Sequence, residues 1–202
     1  MHEYDICLDL VVELGCFDGR AIRYFPKEPM RYYGFDANWE GCVHKAREEF
    51  HNKRQFFFVI SSSPSDLKIL NRESATLALA LETLEHIPPE ILDEYLHQLY
   101  EVMRKNAYFI ITVPNEKGII FLYKYIIKSL IYGDAYTMTP KEFCAAVFGK
   151  TDLIERVSHK GFDYESLINL LERYYHIVKV EGVQFKYLPP KFNVTVGIIC
   201  RK

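Results

Sequence analysis

The sequence predicts an α/β protein built on a doubly wound, seven-stranded sheet that is mostly parallel, with an antiparallel last strand. Short buried runs rich in Val, Ile, Leu and Phe alternate with segments of helical spacing through the first 114 residues. This alternation is typical of parallel strands that helices cover on both faces. The last two apolar runs are separated only by Leu188-Pro189-Pro190-Lys191. That connection is too short for a helical crossover, so these two strands are expected to pair antiparallel.

Each predicted strand is an apolar run bounded by turn residues. The runs are Leu8–Leu14, Arg31–Phe35, Gln55–Ile60, Thr76–Leu81, Tyr108–Val113, Ile177–Val183 and Asn193–Cys200. The clearest amphipathic helices are Pro89–Lys105, with acidic residues early and basic residues late, and Asp163–Tyr175, with Asp163 as N-cap. We expect one domain over residues 1–202, with a lid or acceptor-binding insertion at about 116–158, where no strand is predicted.

Composition limits the function classes. The 202 residues include 25 basic and 27 acidic side chains, a formal net charge of −2, and 49% are hydrophobic. This balance excludes a disordered chain and disfavours a nucleic-acid partner. The five cysteines are scattered, without a CxxC pair, which favours free thiols in a reducing compartment. With no secretory signal or spanning segment in the sequence, we expect a cytoplasmic protein.

A glycine turn follows the first strand, in the segment Glu13-Leu14-Gly15-Cys16-Phe17-Asp18-Gly19. Glycines at this place let the chain turn sharply and let a ligand approach main-chain N–H groups. About 20 residues later Asp36 closes the second strand, where a carboxylate can accept two hydrogen bonds from a ribose diol. The pattern is E-x-G-x-F-x-G and not GxGxxG, which disfavours an NAD-dependent oxidoreductase.

These segments resemble the class I S-adenosylmethionine-dependent methyltransferases, whose first motif is (D/E)-x-G-x-G-x-G followed by an acid at the end of the second strand. Leu81–Pro88 resembles their fourth-strand motif and Ile111–Asn115 the end of their fifth strand. The resemblance implies a Rossmann-like fold and S-adenosyl-L-methionine as cofactor. Phe17 stands where the family has glycine. After the third strand, where the family often has an acid near the adenine, the chain reads Ser61-Ser62-Ser63-Pro64-Ser65-Asp66, so the resemblance leaves a serine hydroxyl or Asp66 for this contact. The implied cofactor-binding residues are Glu13, Gly15, Cys16, Phe17, Gly19, Asp36, Ser61 and Leu81.

A second pattern, E-x-x-E-H, comprises Glu82, Glu85 and His86, with His159 about seventy residues later. If the turn after the fourth strand is helical, the spacing places Glu82 on one face with Glu85 or His86. The pattern resembles that of metal-dependent 2′-O-methyltransferases acting on small-RNA 3′ ends, which makes all four residues candidate ligands for Mg²⁺ or Mn²⁺. In the other interpretation His86 or His159 is a general base without metal, and Glu82 assists catalysis.

The segment Lys117–Ile131 is apolar apart from lysines at positions 117, 124 and 128. In one interpretation it is a helix on the inner face of the membrane that meets a lipid-linked acceptor. In the other, which we favour, it packs over the active site or against a second subunit of a homodimer, since a helix that is apolar all round is normally buried.

The expected function is therefore O-methylation of a sugar-containing or small-molecule acceptor. Bacterial polysaccharide O-methyltransferases resemble this chain in the fourth-strand motif and in His159-Lys160-Gly161-Phe162-Asp163-Tyr164. One alternative is an RNA 3′-terminal 2′-O-methyltransferase. Another is an interaction module that binds the cofactor without catalysis. Because the first motif lies so near Met1, we expect residues 116 to 160 to recognise the acceptor.

Overall fold

The computed structural model describes residues 6–132, 138–157 and 159–202. Within these residues seven strands form one sheet in the order β3-β2-β1-β4-β5-β7-β6. The strands are β1 Leu10–Leu14, β2 Arg31–Asp36, β3 Phe56–Ile60, β4 Ala75–Leu81, β5 Met103–Pro114, β6 His176–Gly182 and β7 Thr195–Arg201. β7 is antiparallel to both of its neighbours, and β1 to β5 are parallel. The predicted fold class is therefore confirmed.

The helices described are α1 Cys42–Glu49, α2 Pro89–Val102, α3 Gly118–Tyr132, α4 Pro140–Val147 and α5 Tyr164–Leu171. Two core layers cover the sheet: α2 and α5 pack on one face, and α1 on the other. β1 lies between β2 and β4, and all five of its residues are buried. Burial on both faces of this central strand explains its apolar run, which Glu13 alone interrupts.

Two predicted helix ends are wrong. α2 ends at Val102 and not at Lys105, because buried Met103 pairs with Ala75 and starts β5. α5 ends at Leu171 and not at Tyr175, because Tyr175 is buried and its hydroxyl donates to the Leu96 carbonyl at 2.8 Å. In both cases a long-range contact overrides local helical spacing.

The predicted alternation of strand and helix is also incomplete. β1 connects to β2, and β3 to β4, through short 3₁₀ turns at Arg20–Tyr24 and Pro64–Ile69. The second of these follows the serine run Ser61–Ser63, and serine and proline favour turns over helix interiors. Each of these two connections therefore holds a 3₁₀ turn in place of the predicted helix.

The segment between β5 and α5 contains α3 and α4, which share a small apolar cluster of Phe121, Ala145, Ala146 and Ile154. Asp163 caps α5 as predicted, since its carboxylate accepts from the Glu165 N–H at 3.0 Å. No helix in the described part of the chain is long and apolar enough to cross a membrane. All five cysteines are free thiols.

Candidate functional site

A cavity of about 600 Å³ lies at the carboxyl ends of β1, β2 and β4. This edge is the usual ligand position in doubly wound sheets. Gly19, one of the expected cofactor-binding residues, packs beside Phe58, whose ring would be 2.9 Å from an added Cβ. The other expected cofactor-binding residues line the cavity: Glu13, Gly15, Cys16, Phe17, Asp36, Ser61 and Leu81.

Gly15 turns the chain out of β1. Its φ is +69°, and its N–H donates to the Phe35 carbonyl at 2.7 Å. A Cβ on Gly15 would overlap the side chain of Thr83, which follows β4. The structure thus needs this glycine for the packing of the β1 loop on the β4 loop. The sharp turn predicted for this glycine is confirmed, and the approach of a ligand to its main-chain N–H stays a prediction.

Phe17 adopts the left-handed backbone conformation that glycine usually supplies, with φ +50°. Its N–H donates to Asp36 Oδ2 at 3.0 Å, and the Asn38 N–H donates to Asp36 Oδ1 at 2.6 Å. Phe17 therefore holds this loop in a conformation that glycine ordinarily adopts. The two main-chain donors fix the Asp36 carboxylate at the end of β2, and each oxygen retains a second lone pair for a ligand hydroxyl.

Glu13 is 3% exposed and lies at the floor of the cavity, where the Tyr32 hydroxyl donates to its Oε2. Burial raises the pKa of Glu13 to about 8, against the opposing effect of the Tyr32 hydrogen bond. The carboxyl group is therefore mostly protonated at neutral pH.

A cluster of three ionisable side chains lies at the end of β4. Glu85 and His86 follow this strand directly, and His159 joins them from a distant segment. Each offers one ligand atom, and these atoms lie within 4.8 Å of one another. The two imidazole rings are edge to face with centroids 4.5 Å apart, and His86 Nε2 is 3.8 Å from Glu85 Oε1. Among the described residues, neither carboxyl oxygen of Glu85 has a hydrogen-bond partner, although both are buried.

Burial shifts the pKa values in this cluster in the directions that favour the neutral form of each side chain. It raises the pKa of Glu85 to about 8, with the Glu82 and Glu116 carboxylates adding to the rise. It lowers the pKa of His86, and lowers that of His159 to about 4 together with the charges of His86, Lys124 and Lys128. Both imidazoles are consequently neutral at pH 7, the form that accepts a proton or ligates a metal.

Glu82 is separate from this cluster. The turn after β4 is a 3₁₀ helix that begins at Leu84, and Glu82 precedes it with φ +51°. The predicted shared helical face is therefore wrong. Glu82 instead lines the cavity. Burial raises its pKa, against the opposing effect of its hydrogen bond with Thr112.

Sequence reasoning missed Glu116. It is 6% exposed, accepts a hydrogen bond from Lys124, and its Oε1 is 3.9 Å from His159 Nδ1. The sequence feature that could have identified Glu116 is its position just after β5, at the sheet edge where ligands bind in doubly wound folds. Tyr24 and Trp39, both highly exposed and lining the cavity, carried no motif signal.

A family model described as a methyltransferase domain matches residues 9–167. The chain belongs to this methyltransferase family. The match supports an enzyme over a cofactor-binding module without catalysis. No curated protein matches this methyltransferase in sequence.

Solved structures show the same fold. A SAM-dependent methyltransferase from Archaeoglobus fulgidus is 18% identical with a TM-score of 0.60, covering 97% of this chain and 86% of that one. One from Aquifex aeolicus is 13% identical with a TM-score of 0.62, covering 97% and 83%. The N-methyltransferase NodS from Bradyrhizobium japonicum, in complex with S-adenosyl-L-homocysteine, is 10% identical with a TM-score of 0.59, covering 97% and 79%.

The cavity of this methyltransferase fits S-adenosylmethionine. Its volume of about 600 Å³ lies within the range of small-ligand sites. Asp36 holds a carboxylate whose free lone pairs suit the hydroxyls of a ribose diol, and Leu81, Ile91 and Trp39 are among the apolar residues that line the cavity. The size of the cavity and the types of residue that line it therefore suit this cofactor.

Proposed function

We propose that this methyltransferase transfers a methyl group to a hydroxyl of a sugar-containing or other small acceptor. The observation that carries the proposal is the contact between the neutral imidazoles of His86 and His159 beside the cofactor cavity. A hydroxyl is a poor nucleophile until its proton is removed. A neutral amine attacks through its lone pair without first losing a proton. A paired base is therefore better explained by an oxygen acceptor.

Each residue then has a distinct task. S-adenosylmethionine supplies an electrophilic methyl group on a sulfonium, whose electron pair returns to sulfur as the new oxygen–carbon bond forms. Asp36 holds the ribose and so sets the direction of the methyl group. His86 lines the cavity and accepts the proton of the acceptor hydroxyl on its imidazole. His159 contacts the His86 ring and keeps it in position.

As the alternative to a metal-free base, Glu85, His86 and His159 fit a divalent metal ion, with both imidazoles then serving as ligands. Both oxygens of Glu85 are buried without a hydrogen-bond partner among the described residues, and a bound cation would stabilise the ionised carboxylate that burial otherwise disfavours. Two imidazoles and one carboxylate favour Mn²⁺ or Zn²⁺, whereas Mg²⁺ prefers oxygen ligands. A bound ion would lower the pKa of the acceptor hydroxyl. We propose this ligand set in place of the four-residue set expected from the sequence, with Glu82 excluded by its position.

Residues 116–158 are the proposed source of acceptor contacts. They follow β5 at the edge of the sheet where the cavity lies, and Glu116 both lies 3.9 Å from His159 and pairs with Lys124. A bacterial polysaccharide acceptor remains the proposal that the sequence resemblance implies.

The test combines calorimetry with methyl transfer. We expect S-adenosylhomocysteine to bind wild type, and Mn²⁺ to bind wild type and Glu82→Gln but not Glu85→Gln or His159→Ala. His86→Ala should lower kcat about 10²- to 10⁴-fold on sugar acceptors while the cofactor product still binds. Transfer to amine acceptors alone would overturn the proposal. Equal Mn²⁺ affinity in Glu82→Gln and Glu85→Gln would remove the metal site.

A further inference from the structure

The paired histidines lie on two segments that are far apart in the chain. His86 ends the 3₁₀ turn after β4, and His159 lies in the segment that leads into α5. Their rings are edge to face with centroids 4.5 Å apart. A contact of this kind serves catalysis only when neighbouring side chains hold both rings in place. The residues that join the two segments are therefore candidates for positioning the pair.

Arg156 joins the two segments. Its Nη2 donates to the carbonyl oxygen of Ile87 at 3.4 Å, and Ile87 directly follows His86. Its guanidinium lies over the ring of buried Phe162, 5.3 Å from the centroid. The Phe162 N–H in turn donates to the His159 carbonyl at 3.2 Å. One side chain therefore contacts both the turn that carries His86 and a residue that is hydrogen-bonded to His159.

The surroundings of Arg156 are costly for a charge. The side chain is half-buried, and burial lowers the pKa of its guanidinium against the opposing effects of Glu90 and Glu85. Arginine nevertheless keeps its charge in proteins, and a desolvated cation is stable only where polar or charged neighbours compensate it. The Ile87 carbonyl, the Phe162 ring and Glu90 supply this compensation, so the guanidinium is held at one place.

Other contacts of the same segment hold it on α4. Lys160 Nζ pairs with Glu142 of α4 at 2.7 Å. Val157 and Lys160 exchange two backbone hydrogen bonds of 3.1 Å and 3.0 Å. These contacts fix the local shape of the segment and its position on α4. The hydrogen bond from Arg156 differs because it reaches the turn after β4, and so it sets the distance between the two histidines.

We propose that Arg156 is a positioning residue, which holds the His159 ring against the His86 imidazole. Arg156 is absent from the described residues that line the cofactor cavity, so it acts through the two histidines and not on the reacting atoms. A displacement of about 1 Å in a catalytic group lowers a rate by up to about 10²-fold. The expected effect on methyl transfer rests on the proposed function, whereas the effect on the ring contact does not.

The test is NMR spectroscopy of the histidine rings in the full chain, with EDTA present and at one fixed pH. The His86 signal is assigned from His86→Ala. His159→Ala then shows where this signal lies without the neighbouring ring, because an aromatic ring shifts the resonance of a proton beside it. We expect Arg156→Met, which keeps an apolar side chain to pack on Phe162 but has no donor, to move the His86 signal towards its position in His159→Ala. Arg156→Lys should restore part of the wild-type position, since an ammonium also donates.

The matched control is Arg173→Met. Arg173 also donates a hydrogen bond, to Asp93 at 2.9 Å, and also lies over an aromatic ring, that of Tyr174. These contacts join the residues after α5 to α2, so the control should leave the His86 signal at its wild-type position. S-adenosylhomocysteine should bind Arg156→Met and Arg173→Met with wild-type affinity, which reports that the fold and the cavity are intact.

A His86 signal that keeps its wild-type position in Arg156→Met would overturn the proposal, as would an equal displacement in Arg173→Met. Loss of S-adenosylhomocysteine binding in Arg156→Met would also overturn it, because the residue would then support the whole fold. On the sugar acceptor used to test His86→Ala, Arg156→Met should lower kcat about tenfold or more at an unchanged KM for S-adenosylmethionine. A displaced signal with wild-type kcat would uphold Arg156 as the positioning residue of the ring contact and contradict the proposed function instead.

Discussion

At Gly15 two separate features of the structure exclude a side chain. The backbone has φ +69°, and an added Cβ would overlap Thr83. Gly41 has almost the same φ, +70°, but nothing lies within 4 Å of its Cβ position. Comparing substitutions at Gly15 and Gly41 therefore separates the energetic cost of backbone strain from that of steric overlap.

We predict that Gly41→Ala lowers the free energy of unfolding by about 1–2 kcal/mol, through strain alone. Gly15→Ala should lower it by about 3 kcal/mol or more, because overpacking adds to the strain. Urea denaturation of both variants measures the difference. Equal losses would show that Thr83 moves aside without cost.

Glu13 predicts a pH dependence of stability. Its pKa is about 8 in the folded protein and 4.5 in the unfolded chain, so between these values the native state binds the extra proton. Stability from this group is therefore highest below about pH 4.5 and falls as pH rises to about 8, by on the order of a few kcal/mol. Glu13→Gln cannot ionise and should lose this slope.

Urea denaturation of wild type and Glu13→Gln at pH 5 and pH 8 tests the prediction. The variant should gain stability relative to wild type at the higher pH. A difference that is constant across this range would mean that Glu13 is ionised in the native protein, despite its burial.

At the scale of elements, Asp163 joins α5 to the start of α3. Besides capping α5, it accepts from Lys117 Nζ at 2.5 Å and from the Thr151 hydroxyl at 3.2 Å. These bonds, led by the one from Lys117, lower the pKa of Asp163 in spite of its burial. Its stabilising effect is therefore present above pH 3.8 and lost as pH falls through the lower folded pKa.

We predict that Asp163→Ala lowers the free energy of unfolding by about 2 kcal/mol at pH 7, because it removes the cap and the ion pair. Asp163→Asn keeps a capping oxygen and should lose about half as much. Chemical denaturation at pH 7 gives both values. If Asn proves as harmful as Ala, the charge and not the cap stabilises this junction.

At the scale of the whole molecule, charge argues against a polyanionic acceptor. The net charge is −2, and binding to nucleic acid depends on releasing counterions from many basic contacts. The RNA 3′-end alternative therefore predicts a basic surface that the composition does not supply.

We expect a labelled single-stranded RNA to bind only weakly, with a Kd above about 10⁻⁵ M at physiological salt. Fluorescence anisotropy measures this affinity, and a periodate-oxidised 3′ end serves as the control without a diol. Tight binding that requires the intact diol, followed by methylation, would favour the RNA activity over a sugar-containing or small-molecule acceptor.

The fold and most of the expected cofactor lining could be predicted from the sequence because their signals are local. Buried runs specify strands, and Gly15 and Asp36 each follow a strand directly, so topology brings them to one edge. The catalytic cluster could be predicted only in part. Helical spacing grouped Glu82 with Glu85, but a 3₁₀ turn separated them.

By itself the sequence determined the seven-stranded sheet and most of the residues that line the cavity at its edge, since these follow from periodicity and from residues adjacent in the chain. Only the tertiary structure decided which acid joins His86 and His159, why Gly15 must be glycine, and which face of α3 is exposed. Each of these depends on contacts between segments far apart in sequence, and pattern within one segment does not specify such contacts.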